Sequence, residues 1–171
     1  RAVYPMRFLL AFAQGGLLSP LLPLLRETFH VSPGELGLLT SMSGLSSVVM
    51  DIIAAYLLQR RPLLSLLLQG IGLAGVALLG SILAPSFYWL VAAQMLLGFG
   101  LGITRVACLM VIVTETPRAV QGRANNLLEF SAIAGLTLSP TLSGLTASLL
   151  HWRAAFALAT VFVAGAFGWV L

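Results

Sequence analysis

The sequence predicts an all-α integral membrane protein, a bundle of six transmembrane helices. Hydrophobic residues make up 59% of the 171 residues and charged residues only 8%, whereas soluble domains run at about 25% charged. A soluble fold of this size has no room to bury so much apolar surface, so the solvent of the chain is lipid. The apolar residues fall into six stretches near the roughly 20 residues that a helix needs to cross the hydrocarbon core. Period-2 alternation is absent, which argues against a transmembrane barrel. Inside lipid every backbone amide must be paired internally, and a helix does that within each span.

The first span, near Met6–Leu25, has Arg1 and Arg7 at its N-terminal flank and concentrates Gln14, Gly15, Gly16, Ser19, Pro20 and Pro23. Proline there removes a backbone hydrogen bond and bends the helix, and the freed carbonyls either find partners or line a wet cavity. Gln14 is a candidate hydrogen-bond donor to a solute or to another helix. The span is too long, and lacks the small-residue cleavage site, for a removable signal peptide. The second span, Gly34–Leu58, sets Thr40, Gly44, Ser47 and Asp51 on one small, polar stripe. Arg60, Arg61 and Pro62 separate it from the third, Leu63–Ala84.

The fourth span, Phe87–Val113, opens on Phe87, Tyr88 and Trp89, as an aromatic belt at the membrane interface does. It places Gln94, Gly98, Leu101, Arg105 and Cys108 on one stripe; Gln94 and Arg105 are about three turns apart and point the same way. The fifth, Arg123–Leu150, carries a polar cluster of Asn125, Asn126 and Glu129, and Pro140 to kink it. The sixth is Ala154–Leu171. Short loops join the spans into one domain over residues 1–171. The start at Arg1 without methionine and the stop at Leu171 inside an apolar run lead us to expect a truncated chain.

All nine residues of the Lys/Arg class are arginine. Arg1, Arg7, Arg60, Arg61, Arg118 and Arg123 fall on one side of the predicted bundle, and Arg26 and Arg153 on the other. The positive-inside rule then puts the N-terminus in the cytoplasm, in an inner or plasma membrane. The arginines are scattered among loops, so nucleic acid is not an expected partner. The single cysteine, Cys108, excludes a disulfide framework and reads as a small packing residue. No catalytic set, metal-ligand spacing or Walker sequence is present, so we expect neither enzyme, metal nor cofactor. The Gly98–Gly102 run lies in a span rather than after a strand, which removes a dinucleotide reading.

Three ionisable residues fall inside spans: Asp51, Arg105 and Glu129. Each of Asp51 and Arg105 costs at least ~2.5 kcal/mol at a helix centre unless it faces a cavity or a partner. At 1.5 Å per residue they lie about 13, 15 and 9 Å from the cytoplasmic ends of their helices. Similar depth and inward stripes predict one polar layer shared by the second, fourth and fifth spans. The layer is either a charged site in a cavity or a structural ion pair. Asn125 and Gln94 join the candidates that face it.

At this point the residues resemble a known family. Pro117-Arg118-Ala119-Val120-Gln121-Gly122-Arg123-Ala124 is similar to the loop after the fourth helix of major facilitator superfamily transporters, and Trp152-Arg153-Ala154-Ala155-Phe156 to the start of their sixth. Gly98-x-Gly100-x-Gly102 resembles the fourth-helix glycine motif. Gly135-Leu136-Thr137-Leu138-Ser139-Pro140-Thr141-Leu142-Ser143-Gly144 resembles the fifth-helix motif, with Ser139 and Ser143 in place of two glycines. The family's loop between helices two and three survives only as Arg60-Arg61-Pro62; Tyr56, Leu57 and Gln59 stand at its Asp, Arg and Gly positions. Gln94 stands where the family's fourth-helix arginine precedes the glycines.

The resemblance covers essentially the whole chain and implies an N-terminal six-helix half built as a three-plus-three inverted repeat. It implies secondary active transport of a small solute by alternating access, with Arg60, Arg61, Arg118, Gly122, Arg123, Gly135, Pro140 and Gly144 in the conformational and gating motifs. The expected partners are the bilayer, a small-molecule substrate, protons, and a second six-helix half or partner membrane subunit. Anion uptake through Arg105 and proton-coupled efflux through the acids both remain open. A non-transporting scaffold subunit is the alternative reading, favoured by the eroded Tyr56–Gln59 loop.

Overall fold

The structure is a computed structural model and describes residues 3–14 and 17–170, with side chains as far as residue 169. Its α-helices are α1 (Val3–Ala13), α2 (Leu22–Phe29), α3 (Pro33–Leu57), α4 (Leu63–Ile82), α5 (Phe87–Glu115), α6 (Gln121–Leu149) and α7 (Trp152–Val170). Two 3-10 turns, Ser19–Leu21 and Arg118–Val120, precede α2 and α6, and no strand occurs among the described residues. The helices α3, α4, α5, α6 with its preceding turn, and α7 are long and apolar enough to cross a membrane.

The first expected span is not one continuous helix. α1 stops at Ala13, and helix resumes through Ser19–Leu21 into α2. Pro20 and Pro23 occupy first-turn positions of the 3-10 turn and of α2, where a missing N–H costs nothing. Both prolines therefore start a helix after a break rather than bend one that continues. The paired glycines Gly15 and Gly16 lie outside the described residues.

Local chemistry sets the other boundaries. Ser32 caps α3: its Oγ accepts from the Glu35 backbone N–H at 3.3 Å, and its own N–H donates to Glu35 Oε2 at 2.7 Å, a capping box followed by Pro33. Ser86 Oγ accepts from the Trp89 N–H at the start of α5. His30 ends α2 with φ 52°, the left-handed conformation common just past a helix. Gln121 Nε2 donates to the Val113 and Thr116 carbonyls, 3.0 Å each, fastening the turn between α5 and α6.

Small residues decide the packing. α5 lies between α3 and α4, its principal neighbours. Gly98 and Gly102, one turn apart, meet α3: a Cβ on Gly98 would strike Ser43 O, and one on Gly102 would lie 2.7 Å from Ser47 O. Gly100 points the other way, where a Cβ would lie 2.6 Å from Gly70 O of α4. On the far side of the bundle α1 packs on α6 and α7. There Gly135 lets α6 approach the Phe8 carbonyl, and Ser139 Oγ donates to the Phe12 carbonyl at 2.6 Å. α4 and α7 close the bundle.

An aromatic cluster seals the end where α2 stops and α5 and α7 begin. Phe29 lies 6.3 Å from Phe87 and 5.7 Å from Trp152, centroid to centroid, and Trp152 meets Phe156 edge-on. Tyr88 and Trp89 are exposed, as an interfacial belt requires, but Phe87 is buried. Phe87 belongs to this inner cluster rather than to the belt, because α2 brings Phe29 over it.

Candidate functional site

A cavity of about 160 Å³ opens beside the end of α1, lined by Gln14, Leu18, Thr40, Ser43, Gly44, Ser47, Gly98 and Leu101. The polar stripe expected on the second span supplies three of these residues. Gln14 lines the cavity because α1 ends just before it. Ser47 is 6% exposed and its Oγ has no hydrogen-bond partner. Gly44 carries no atom toward the cavity and leaves its wall recessed.

One turn beyond Ser47 on α3, and one turn beyond Leu101 on α5, Asp51 and Arg105 form an ion pair. Arg105 Nε donates to Asp51 Oδ1 at 3.2 Å, and Nη2 pairs with Oδ2. This side-on, two-pronged geometry is the strong form of a charge-assisted bond. It offsets the cost of carrying either charge in the hydrocarbon layer. The side chains remain 23% and 37% exposed, so the pair is open on one side. Further along the same seam an apolar groove of about 370 Å³ follows, lined by Ala55, Leu58, Gln59, Val106, Leu109, Met110 and Val113. Polar cavity, ion pair and apolar groove thus succeed one another between α3 and α5. A more open hollow of about 640 Å³, lined by Arg26, Glu27 and His30 among others, occupies the other end of the bundle.

The expected three-residue layer holds only in part. Glu129 is exposed on α6 and forms no ion pair with Arg105, because α6 packs on α1 while α5 packs on α3. Glu129 lies instead within electrostatic range of Arg7, as do Cys108 and Arg105. Arg7 is 5% exposed, and its Nε has no partner among the described residues. Arg105 is therefore not the sole cation inside the bundle. The sequence reading assigned Arg7 to the flank; α1 starts at Val3 and carries Arg7 inward. Asn125, one turn before Glu129, is half-buried with an unpartnered Oδ1.

Gln94 does not line the cavity. It is fully buried, and its Nε2 donates to Ser81 Oγ of α4 at 3.1 Å. It joins α5 to α4, whereas Arg105 joins α5 to α3, so the shared stripe divides between two neighbours. Ser43 and Leu18 are lining residues the sequence reading missed; Ser43 was legible at helical spacing from Thr40.

Among the motif residues, Arg60 stacks over the Tyr56 ring at 4.8 Å. Arg61, Arg118 and Arg123 are exposed. Gly122 faces open space, Gly135 is a contact with α1, and Gly144 meets Pro20. Pro140 sits inside α6, with Ser143 Oγ bonded to the Ser139 carbonyl at 2.6 Å beside it.

Apolar helices around a polar cavity and an interior ion pair define a multi-pass membrane protein with a transporter fold. The sequence profile of the Major Facilitator Superfamily matches residues 6–171, and the chain belongs to that family. Its fold is similar to the crystal structure of a bacterial homologue of the iron transporter ferroportin in an inward-facing state, with a TM-score of 0.71 at 19% identity. The similarity covers 96% of this chain and 44% of that one, so the chain spans less than half of its length. A search of curated protein sequences finds no match.

Proposed function

We propose that this chain forms one half of a secondary active transporter for a small polar solute, working by alternating access. The observation that carries the reading is the α3–α5 seam, where a polar cavity adjoins the Asp51–Arg105 pair. Family sites lie near the bilayer midplane between repeats, where broken helices present unpaired backbone groups. The interruption between α1 and α2 beside Gln14 fits that description.

The contacts support a three-plus-three repeat of six spans, with α1 and α2 together as the first. α1 packs on α6 and α7; α5 packs on α3 and α4. Exchanging the first three spans for the last three turns one set of contacts into the other and returns the α4–α7 contact to itself. A second half is the partner that the faces of α3 and α6 suit. Both helices are mostly exposed, and both mix apolar side chains with polar ones such as Thr40, Asn126 and Glu129. Arg60, Arg61, Arg118 and Arg123 gathered at one end favour a cytoplasmic placement of that end and of the N-terminus. Reconstitution of the native protein in proteoliposomes, with solute flux measured with and without an imposed proton gradient, tests the proposal. Gradient-driven accumulation is the expected result. Passive behaviour toward every solute class tested, under either gradient polarity, would remove it.

A further inference from the structure

We infer that the site takes a small zwitterionic solute, its carboxylate on Arg105 and its ammonium group on Asp51. The inference rests on the transport reading above and names the substrate class of that same site. Asp51 and Arg105 stand one helical turn from the cavity residues Ser47 and Leu101, and the ideal Cβ position of Gly102 lies 3.3 Å from Asp51 Oδ1. No side chain at position 102 separates the charged pair from the seam.

The geometry of the pair selects the solute. Asp51 engages the Nε and Nη2 side of the guanidinium. Arginine has five donors in a planar fork, so the Nη1–Nη2 edge stays free, and no described residue takes it. Asp51 keeps unused lone pairs on both oxygens. A free donor edge and free acceptor positions therefore lie side by side on a half-buried, neutral pair. A solute bearing only a negative charge would gain Arg105 but meet the repulsion of Asp51. A cation would meet the converse. A solute with both charges a few ångströms apart matches both groups and leaves no charge uncompensated. Ser47, whose buried Oγ has no hydrogen-bond partner, and Gln14 are neutral polar residues lining the cavity. The cavity of about 160 Å³ lies one helical turn from the pair, which does not itself line it, and has room for the uncharged part of a solute of a few heavy atoms.

The test compares four probes on one carbon skeleton: alanine (zwitterion), lactate (anion), alaninamide (cation) and lactamide (neutral). Each is titrated against the native protein in detergent by thermal shift, and each is assayed for counterflow in proteoliposomes. Alanine should bind at least about tenfold more tightly than the other three, and Asp51→Asn or Arg105→Gln should each weaken it by about tenfold or more. The Asp51→Asn/Arg105→Gln double variant keeps a neutral, hydrogen-bonded pair and should fold yet bind no alanine. Ser47→Ala, a mild change, should weaken alanine severalfold if either charge variant fails to fold. Equal or tighter binding of lactate, alaninamide or lactamide overturns the inference, as does full alanine binding by the double variant or by Ser47→Ala, or no binding of any probe. Alanine binding without counterflow removes the transport reading and leaves this one. Counterflow of another probe class does the reverse.

Discussion

Arg7 is 5% exposed with an unpartnered Nε, an arrangement that a fold does not keep for stability alone. A buried donor left without a partner costs about 1–3 kcal/mol, which an apolar side chain of similar length does not incur. Arg7→Met should therefore raise the melting temperature of the protein in detergent. A lower melting temperature would mean that the guanidinium is paired, and Glu129 is the acid that acts on it. Ser139 shows the opposite case. Its hydroxyl serves the Phe12 carbonyl in the last turn of α1, where carbonyls have no N–H ahead of them. Ser139→Ala removes the partner that this carbonyl has among the described residues and should cost about 1 kcal/mol. Unchanged melting would show that another group satisfies Phe12. The serine at a position where the family keeps glycine thus combines close approach with a cap.

Among the helices, α5 bears the tightest constraint because two neighbours approach its backbone from opposite sides. Gly100→Ala would put a methyl group 2.6 Å from Gly70 O and 2.7 Å from the Ala74 N. Backbone atoms cannot swing aside, so the helices must separate. Overpacking of this kind costs about 1–3 kcal/mol. Gly122 is the internal control: it lies in the first turn of α6 and faces open space, so Gly122→Ala should be neutral or stabilising by up to about 1 kcal/mol through helix propensity. The two variants are compared by thermal unfolding in the same detergent. A Gly100→Ala protein as stable as the parent would mean that α4 and α5 are not in contact at this point.

The whole molecule is asymmetric in charge from end to end. Arg60 and Arg61 follow α3, Arg118 and Arg123 flank the α5–α6 turn, and Arg26 and Arg153 lie at the other end, where Arg153 stacks on Trp152 at 5.1 Å. With Arg7 buried, the loop asymmetry is smaller than the sequence suggested, but its sign is unchanged. A cysteine at Gln59 should react with an impermeant thiol reagent only from the cytoplasmic side of sealed vesicles. One at His30 should react only from the exterior. Reversed labelling would invert the proposed orientation.

The sequence by itself determined the solvent and the helices. Composition forced a lipid-embedded chain, and the starts of α4 and α5 fall where Pro62 and Ser86 place them, because caps and prolines act locally. The polar stripe Thr40–Ser47 was legible because helical spacing fixes a face. Tertiary structure alone decided which faces meet. Gln94 and Arg105 share a stripe in sequence yet serve different neighbours, since α5 is wedged between α3 and α4. Glu129 forms no ion pair with Arg105 because α6 packs on α1, which brings it within electrostatic range of Arg7 instead. Helical periodicity gives the direction of a side chain about its own axis. The identity of the helix that lies in that direction depends on how closely backbones approach, and here Gly98, Gly100, Gly102 and Gly135 set that approach through contacts between residues far apart in the chain.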